Sequence, residues 1–232
     1  MTPPAFHNHF ENTVGFYKHD TTFVTSSVAH LDHFWDVNTT HIRRAAFIPT
    51  AADRFREFGY KDYFVDQERD WLATQREAGR VSNIEELPIA RMSSRSIASA
   101  LKASDLIFIG GGNVQFLQEI LQQTGANEMI FDQVAQRRSY YIGRCAGAII
   151  AGPNIEPRGT FWPSLAYHPL DNTQGLSLVS SYPVPHVDSV PIMNRHHAQH
   201  NITGWQLIDE MSRQLPVTLL HDNPLDNRGA IQ

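Results

Sequence analysis

The sequence contains one cysteine, Cys145, in 232 residues. That scarcity excludes an internal disulfide and a zinc site built from several thiolates. Long apolar runs are also missing. The most apolar stretches, 106–109 and 146–151, fall far short of the ~20 residues a membrane-spanning helix needs. No basic segment followed by an apolar one opens the chain, so no signal peptide is expected and the expected compartment is the cytoplasm. The sequons at Asn38 and Asn201 then read as incidental. Positive charge is not in excess: 19 Lys and Arg against 24 Asp and Glu give a net charge of −5. Neither nucleic acid nor an anionic membrane is an expected partner. Repeats and low-complexity linkers are absent.

What is present suits one globular domain. The chain is 41% hydrophobic and 10% aromatic, enough to bury a sizeable core. Residues 1–20, rich in Pro, His and Asn, read as a loosely ordered lead-in to a single domain over 21–232. Short apolar runs at 22–25, 45–49, 84–88, 106–109, 140–142, 176–179 and 217–220 read as strands. Helical patterns lie near 28–36, 60–78, 94–103, 114–124, 128–138, 146–151 and 196–213. Asn113 as N-cap, the Leu117, Ile120 and Leu121 stripe and Gly125 as C-cap define one of them closely. Alternating β and α elements imply a doubly wound, mostly parallel α/β sheet with helices on both faces. In such sheets, sites form beyond the carboxyl ends of strands.

Two strand ends carry chemical signals. Leu106–Ile109 runs into Gly110-Gly111-Gly112-Asn113. No lysine follows for a phosphate-binding P-loop, and Gln115 stands where a dinucleotide fingerprint needs glycine. An anion or oxyanion site made of backbone N–H groups is left, against a plain tight turn. Tyr140–Ile142 runs into Gly143-Arg144-Cys145-Ala146-Gly147-Ala148. Small residues at both flanks, between a strand and a helix, match a nucleophile elbow with cysteine at its apex. The N–H of Ala146 would face a developing oxyanion, and the helix N-terminus would favour the thiolate.

A nucleophilic cysteine needs a histidine oriented by a third group. Among twelve histidines, His186 is the choice, in a proline-stiffened loop after a strand candidate. His168 is the second candidate. His196 and His200 have the spacing of metal ligands, but no third ligand accompanies them, so they read as a solvated helix face and no metal is expected. His7 and His9 read as surface or tail. The acid is Asp222, just beyond the last strand, in preference to Asp188, two residues from His186.

These pieces together resemble the peptidase E (aspartyl dipeptidase) family, which includes cyanophycinase-like enzymes. The matching segments are Phe47-Ile48-Pro49-Thr50-Ala51, Gly110-Gly111-Gly112-Asn113, Tyr141-Ile142-Gly143 with Cys145-Ala146-Gly147-Ala148, Pro153-Asn154-Ile155-Glu156, Pro185-His186 and Asp222-Asn223. They keep order and spacing from about residue 22 to the C-terminus. The resemblance implies a flavodoxin-like fold related to class I glutamine amidotransferases and a nucleophile–His–acid triad of Cys145, His186 and Asp222. It implies oxyanion donors at Gly112 and Ala146. Asn113 and Arg144, beside the two turns, are assigned to substrate contact. Cys145 stands where the family has serine, and His200 stands where aspartyl-specific members carry arginine. The expected function is hydrolysis of a small peptide or related amide through a thioacyl intermediate, without a cofactor. Two other readings stay open, a glutaminase-type amidase using Asp188 and a non-hydrolytic reactive thiol. Homo-oligomerisation is likewise open.

Overall fold

The computed structural model describes residues 10–13, 15–18, 21–57, 63–155, 171–189, 208–209, 211–213 and 215–223. Among the described residues, nine strands run in chain order: β1 (Phe10–Thr13), β2 (Gly15–Lys18), β3 (Thr22–Thr25), β4 (Ile42–Ile48), β5 (Val81–Glu86), β6 (Leu106–Ile109), β7 (Tyr140–Arg144), β8 (Tyr182–Val184) and β9 (Val217–Leu220). The larger sheet has the order β2-β3-β7-β6-β4-β5. Its five strands from β3 to β5 are parallel, and β2 closes one edge antiparallel to β3. A smaller sheet of order β1-β9-β8 is parallel throughout.

The apolar strands are buried on both faces. Along β6, Ile107 and Ile109 face one hydrophobic cluster while Leu106 and Phe108 face the other, the two-residue alternation of a pleated strand. Helices α4 (Ser94–Lys102), α5 (Val114–Thr124), α6 (Ala126–Ala135) and α7 (Ala146–Ala151) cover the first face. The other face is covered by α1 (Phe34–Val37) and α3 (Tyr63–Glu77), through Phe34, Val65, Trp71 and Leu72. A short α2 (Asp53–Glu57) precedes α3. Helix α5 begins where the sequence placed it. Asn113 Oδ1 accepts a hydrogen bond from the Phe116 N–H at 2.9 Å, and Gly125 ends the helix at φ 71°, the left-handed cap glycine adopts readily. No helix among the described residues is long and apolar enough to cross a membrane.

Two expectations are corrected. Residues 10–13 and 15–18, read as part of a loose lead-in, are strands, and their partners β9 and β3 supply the order. The run Leu176–Val179 is not a strand. Its apolar side chains are buried, but its backbone bonds to the end of α7: the Leu176 N–H to Ile150 and the Val179 N–H to Ala151. Ser177 sits at φ 53° between them, a conformation that breaks an extended chain. The real strand, β8, starts three residues later. Of the helix expected over 196–213, residues 208–209 and 211–213 are helical. The remainder, with His196 and His200, lies outside the described residues, as do His7, His9, Glu156 and His168.

Candidate active site

The parallel strands deliver their carboxyl ends to one side of the molecule, and the candidate residues all follow such ends. Cys145 comes directly after β7 and caps α7 with φ 51° and ψ −105°. A non-glycine residue rarely adopts that backbone, which costs on the order of 1–3 kcal/mol. Its surroundings hold it there. The Cys145 N–H bonds to Thr25 and the Gly147 N–H bonds to Gly110. The buried Tyr141 hydroxyl donates to the Gly147 carbonyl at 2.7 Å. A Cβ on Gly147 would overlap the Ile109 carbonyl, and one on Gly143 would overlap the Gly147 carbonyl. Glycine on both sides of the turn is therefore a packing requirement.

His186 and Asp222 meet because β8 and β9 are adjacent and parallel. Val184 is level with Leu219, so two residues beyond Val184 and three beyond Leu219 bring the imidazole beside the carboxylate. The His186 Nδ1–H lies 2.9 Å from Asp222 Oδ1 and 3.0 Å from Oδ2. The other ring nitrogen, Nε2, is left for the Cys145 thiol, with which His186 is hydrogen-bonded. Asp222 also hydrogen-bonds with Ser26 and lies near His30. The His30 Nε2–H donates to the Asp222 carbonyl at 2.9 Å.

Asp188 is placed differently. Its Oδ1 accepts from His221 Nδ1 at 2.6 Å, and its Oδ2 accepts from the backbone N–H groups of Asp222 and Asn223, both at 2.8 Å. It holds the segment that carries Asp222, while the carboxylate on His186 is that of Asp222.

The electrostatics favour an ion pair. Desolvation opposes a Cys145 thiolate, but the His186 charge and hydrogen bond, the Arg144 cation and the Gly112 N–H outweigh it and hold the thiol down to about 7. Desolvation likewise opposes the His186 cation, yet the Cys145 thiolate and Asp222 push the imidazole up to about 10. Burial works against the Asp222 carboxylate too. The His186 hydrogen bond and charge nevertheless hold it below its ordinary value.

The glycine turn after β6 completes the site. Gly112, at φ 142°, lies so close to Ala51 that a side chain would strike the Ala51 carbonyl. Its N–H is directed at the Cys145 sulfur. The Ala146 N–H is among the first amides of α7, which no helix supplies with an internal partner. Asn113 and Arg144, assigned to substrate contact from sequence, each have a structural partner within the chain. Asn113 caps α5. Arg144 is 4% exposed, and its Nε donates to the fully buried Glu68 Oε1 at 2.5 Å.

Glu68 is the residue sequence reasoning missed. It sits on α3 with Val65, Leu72 and Gln75 along the buried stripe, so a carboxylate at an apolar-stripe position was the available signal. Among the described residues, no group of three or more His, Cys, Asp or Glu is arranged to hold a metal ion.

The profile of peptidase family S51 matches residues 23–224. An uncharacterized peptidase of Pasteurella multocida (strain Pm70) is 32% identical over 212 residues, covering 90% of this chain and 91% of that protein. An uncharacterized peptidase of Listeria monocytogenes is 37% identical over 108 residues, 47% of this chain and 52% of its own. A crystal structure named for peptidase E, from Listeria monocytogenes EGD-e, superposes with a TM-score of 0.63 at 29% identity. It covers 77% of this chain and 86% of that one.

Proposed function

The chain belongs to peptidase family S51, and on that premise we propose that it hydrolyses a small peptide or related amide with Cys145 as nucleophile. The contact chain from Cys145 through His186 to Asp222 carries the reading. In acylation the Cys145 sulfur forms a bond to the substrate carbonyl carbon. The C–N bond then breaks as His186 Nε2 gives its proton to the leaving amine. Water next attacks the thioester, His186 takes its proton, and the thiolate leaves. Asp222 holds the imidazole with Nδ1–H toward the carboxylate, so that Nε2 faces the reaction. The Gly112 and Ala146 N–H groups stabilise the tetrahedral oxyanion, each worth ~10²–10³ in rate.

The binding of Asp188 to residues 221–223 speaks against the glutaminase arrangement, in which it would orient His186. The low thiol value also suits a reactive thiol without hydrolysis, and one experiment separates the two. A panel of dipeptides and amides is assayed with the wild type and with Cys145→Ala. Turnover that disappears in the variant supports the peptidase. Rapid oxidation of Cys145 with no turnover of any substrate from pH 6 to 10 would overturn it.

A further inference from the structure

A buried carboxylate stands behind the site with no part in the steps above. Glu68 is fully buried on α3, reaching under the turn after β6, and one of its oxygens serves two segments at once. Oε1 accepts the Gly111 N–H at 2.8 Å and the Arg144 Nε at 2.5 Å. Gly111 immediately precedes the residue whose N–H points at the sulfur, and Arg144 immediately precedes the nucleophile itself. The packing leaves no slack. A Cβ on Gly110 would strike Glu68, and one on Gly111 would strike the Arg144 guanidinium and crowd the Cys145 Cβ. Glu68 Oε2, by contrast, is buried with no hydrogen-bond partner among the described residues. A carboxylate so placed is retained at a desolvation cost, which calls for a purpose beyond packing.

We propose that Glu68 is the positioning residue of the reactive turns: its Oε1 ties the Gly111 amide to Arg144, aiming the Gly112 N–H at Cys145 and holding the Arg144 cation beside the sulfur. Fixing the Gly111 peptide sets the direction of the next one, because consecutive peptide planes share only one pair of soft dihedrals. Anchoring the guanidinium keeps a positive charge within reach of the thiolate without exposing it to substrate. The inference deepens the peptidase reading and rests on it for the oxyanion role. The state of the thiol can be tested without any substrate.

The test compares Glu68→Asp, which withdraws the carboxylate by one methylene, with Glu68→Gln, which keeps an acceptor oxygen in place. The first readout is the pH midpoint for alkylation of Cys145 by iodoacetamide, and the second is kcat and KM on a dipeptide substrate. Glu68→Asp is expected to raise the midpoint toward that of an ordinary thiol and to lower kcat at least tenfold, a part of the ~10²–10³ that removing an oxyanion donor outright costs, with KM little changed. Glu68→Gln is expected to stay within a factor of about three of wild type in kcat, since the amide oxygen has two lone pairs for the same two donors, with no rise in midpoint. A folded Glu68→Asp with an unchanged midpoint would overturn the proposal, and so would a Glu68→Gln that moves as far as Glu68→Asp.

Should Glu68→Asp fail to fold, Glu68→Gln/Arg144→Met keeps the acceptor, removes the cation and preserves volume. Its midpoint is expected to rise, and an unchanged one would overturn the proposal. Midpoints that move as expected while no variant or wild type turns over a peptide would support this role for Glu68 and defeat the peptidase reading.

Discussion

The carboxylate of Asp188 accepts the backbone N–H of Asp222 at 2.8 Å, so one aspartate fixes the position of the other. The two are therefore separable by mutation. Asp222→Asn should lower kcat/KM by roughly 10³–10⁴, as when an orienting acid is lost and the imidazole takes the wrong tautomer, with a small change in Tm. Asp188→Ala leaves His221 and two backbone amides without their acceptor. It should cost about 2–3 kcal/mol of stability and lower activity less. Thermal melts and kinetics on both variants check this. Equal activity losses with an unshifted Tm for Asp188→Ala would mean that Asp188 orients His186.

The pH dependence follows from the two shifted groups. The thiol is lowered to about 7 and the imidazole raised to about 10, so the ion pair exists between those values. kcat/KM should rise as pH increases through about 7 and fall as it increases through about 10. Stability follows the same window. The contribution of the thiol is lost as pH falls through its folded value, and that of the histidine is lost as pH rises through its own. In Cys145→Ser, the limb near 7 due to thiol ionisation should vanish. A Cys145→Ser profile that keeps this limb would assign it elsewhere.

Backbone strain at Cys145 gives a stability prediction. At φ 51° and ψ −105°, glycine is relaxed where alanine is not. Cys145→Gly should exceed Cys145→Ala in unfolding free energy by about 1 kcal/mol, measured by urea denaturation. Equal stabilities would show that the turn relaxes once the thiol is gone.

Gly147→Ala should be the most damaging small substitution in the site. The added methyl meets the Ile109 carbonyl, a backbone atom in the middle of the sheet. Overpacking of this kind costs typically 1–3 kcal/mol, and the displaced first turn of α7 should slow Cys145 alkylation at pH 8. Wild-type melting and wild-type alkylation would refute the packing requirement.

Much of the parallel core was legible because its signals are local. The bounds of β3, β6, β9, α5 and α7 match the apolar runs and caps that define them. Cys145 announced itself through glycines two residues to either side. What escaped depended on distant partners. Nothing near residue 10 shows that β9 will pair with it. Leu176–Val179 has strand composition but spends its backbone hydrogen bonds on α7. The choice between Asp188 and Asp222 depended on β8 lying beside β9, and the two are separated by a long stretch of chain. Glu68 was hidden by its own setting, one carboxylate on an otherwise ordinary amphipathic helix.

The pairing of β8 with β9 also acts as a ruler. Neighbouring strands keep a spacing of ~4.8 Å, so the gap between His186 and Asp222 is set by the ladder rather than by the side chains. A slip of one residue along β9 would present His221 or Asn223 to His186 in place of Asp222, removing the carboxylate from the imidazole. Val217–Leu220 can therefore accept many substitutions that preserve its burial, but not a single-residue insertion.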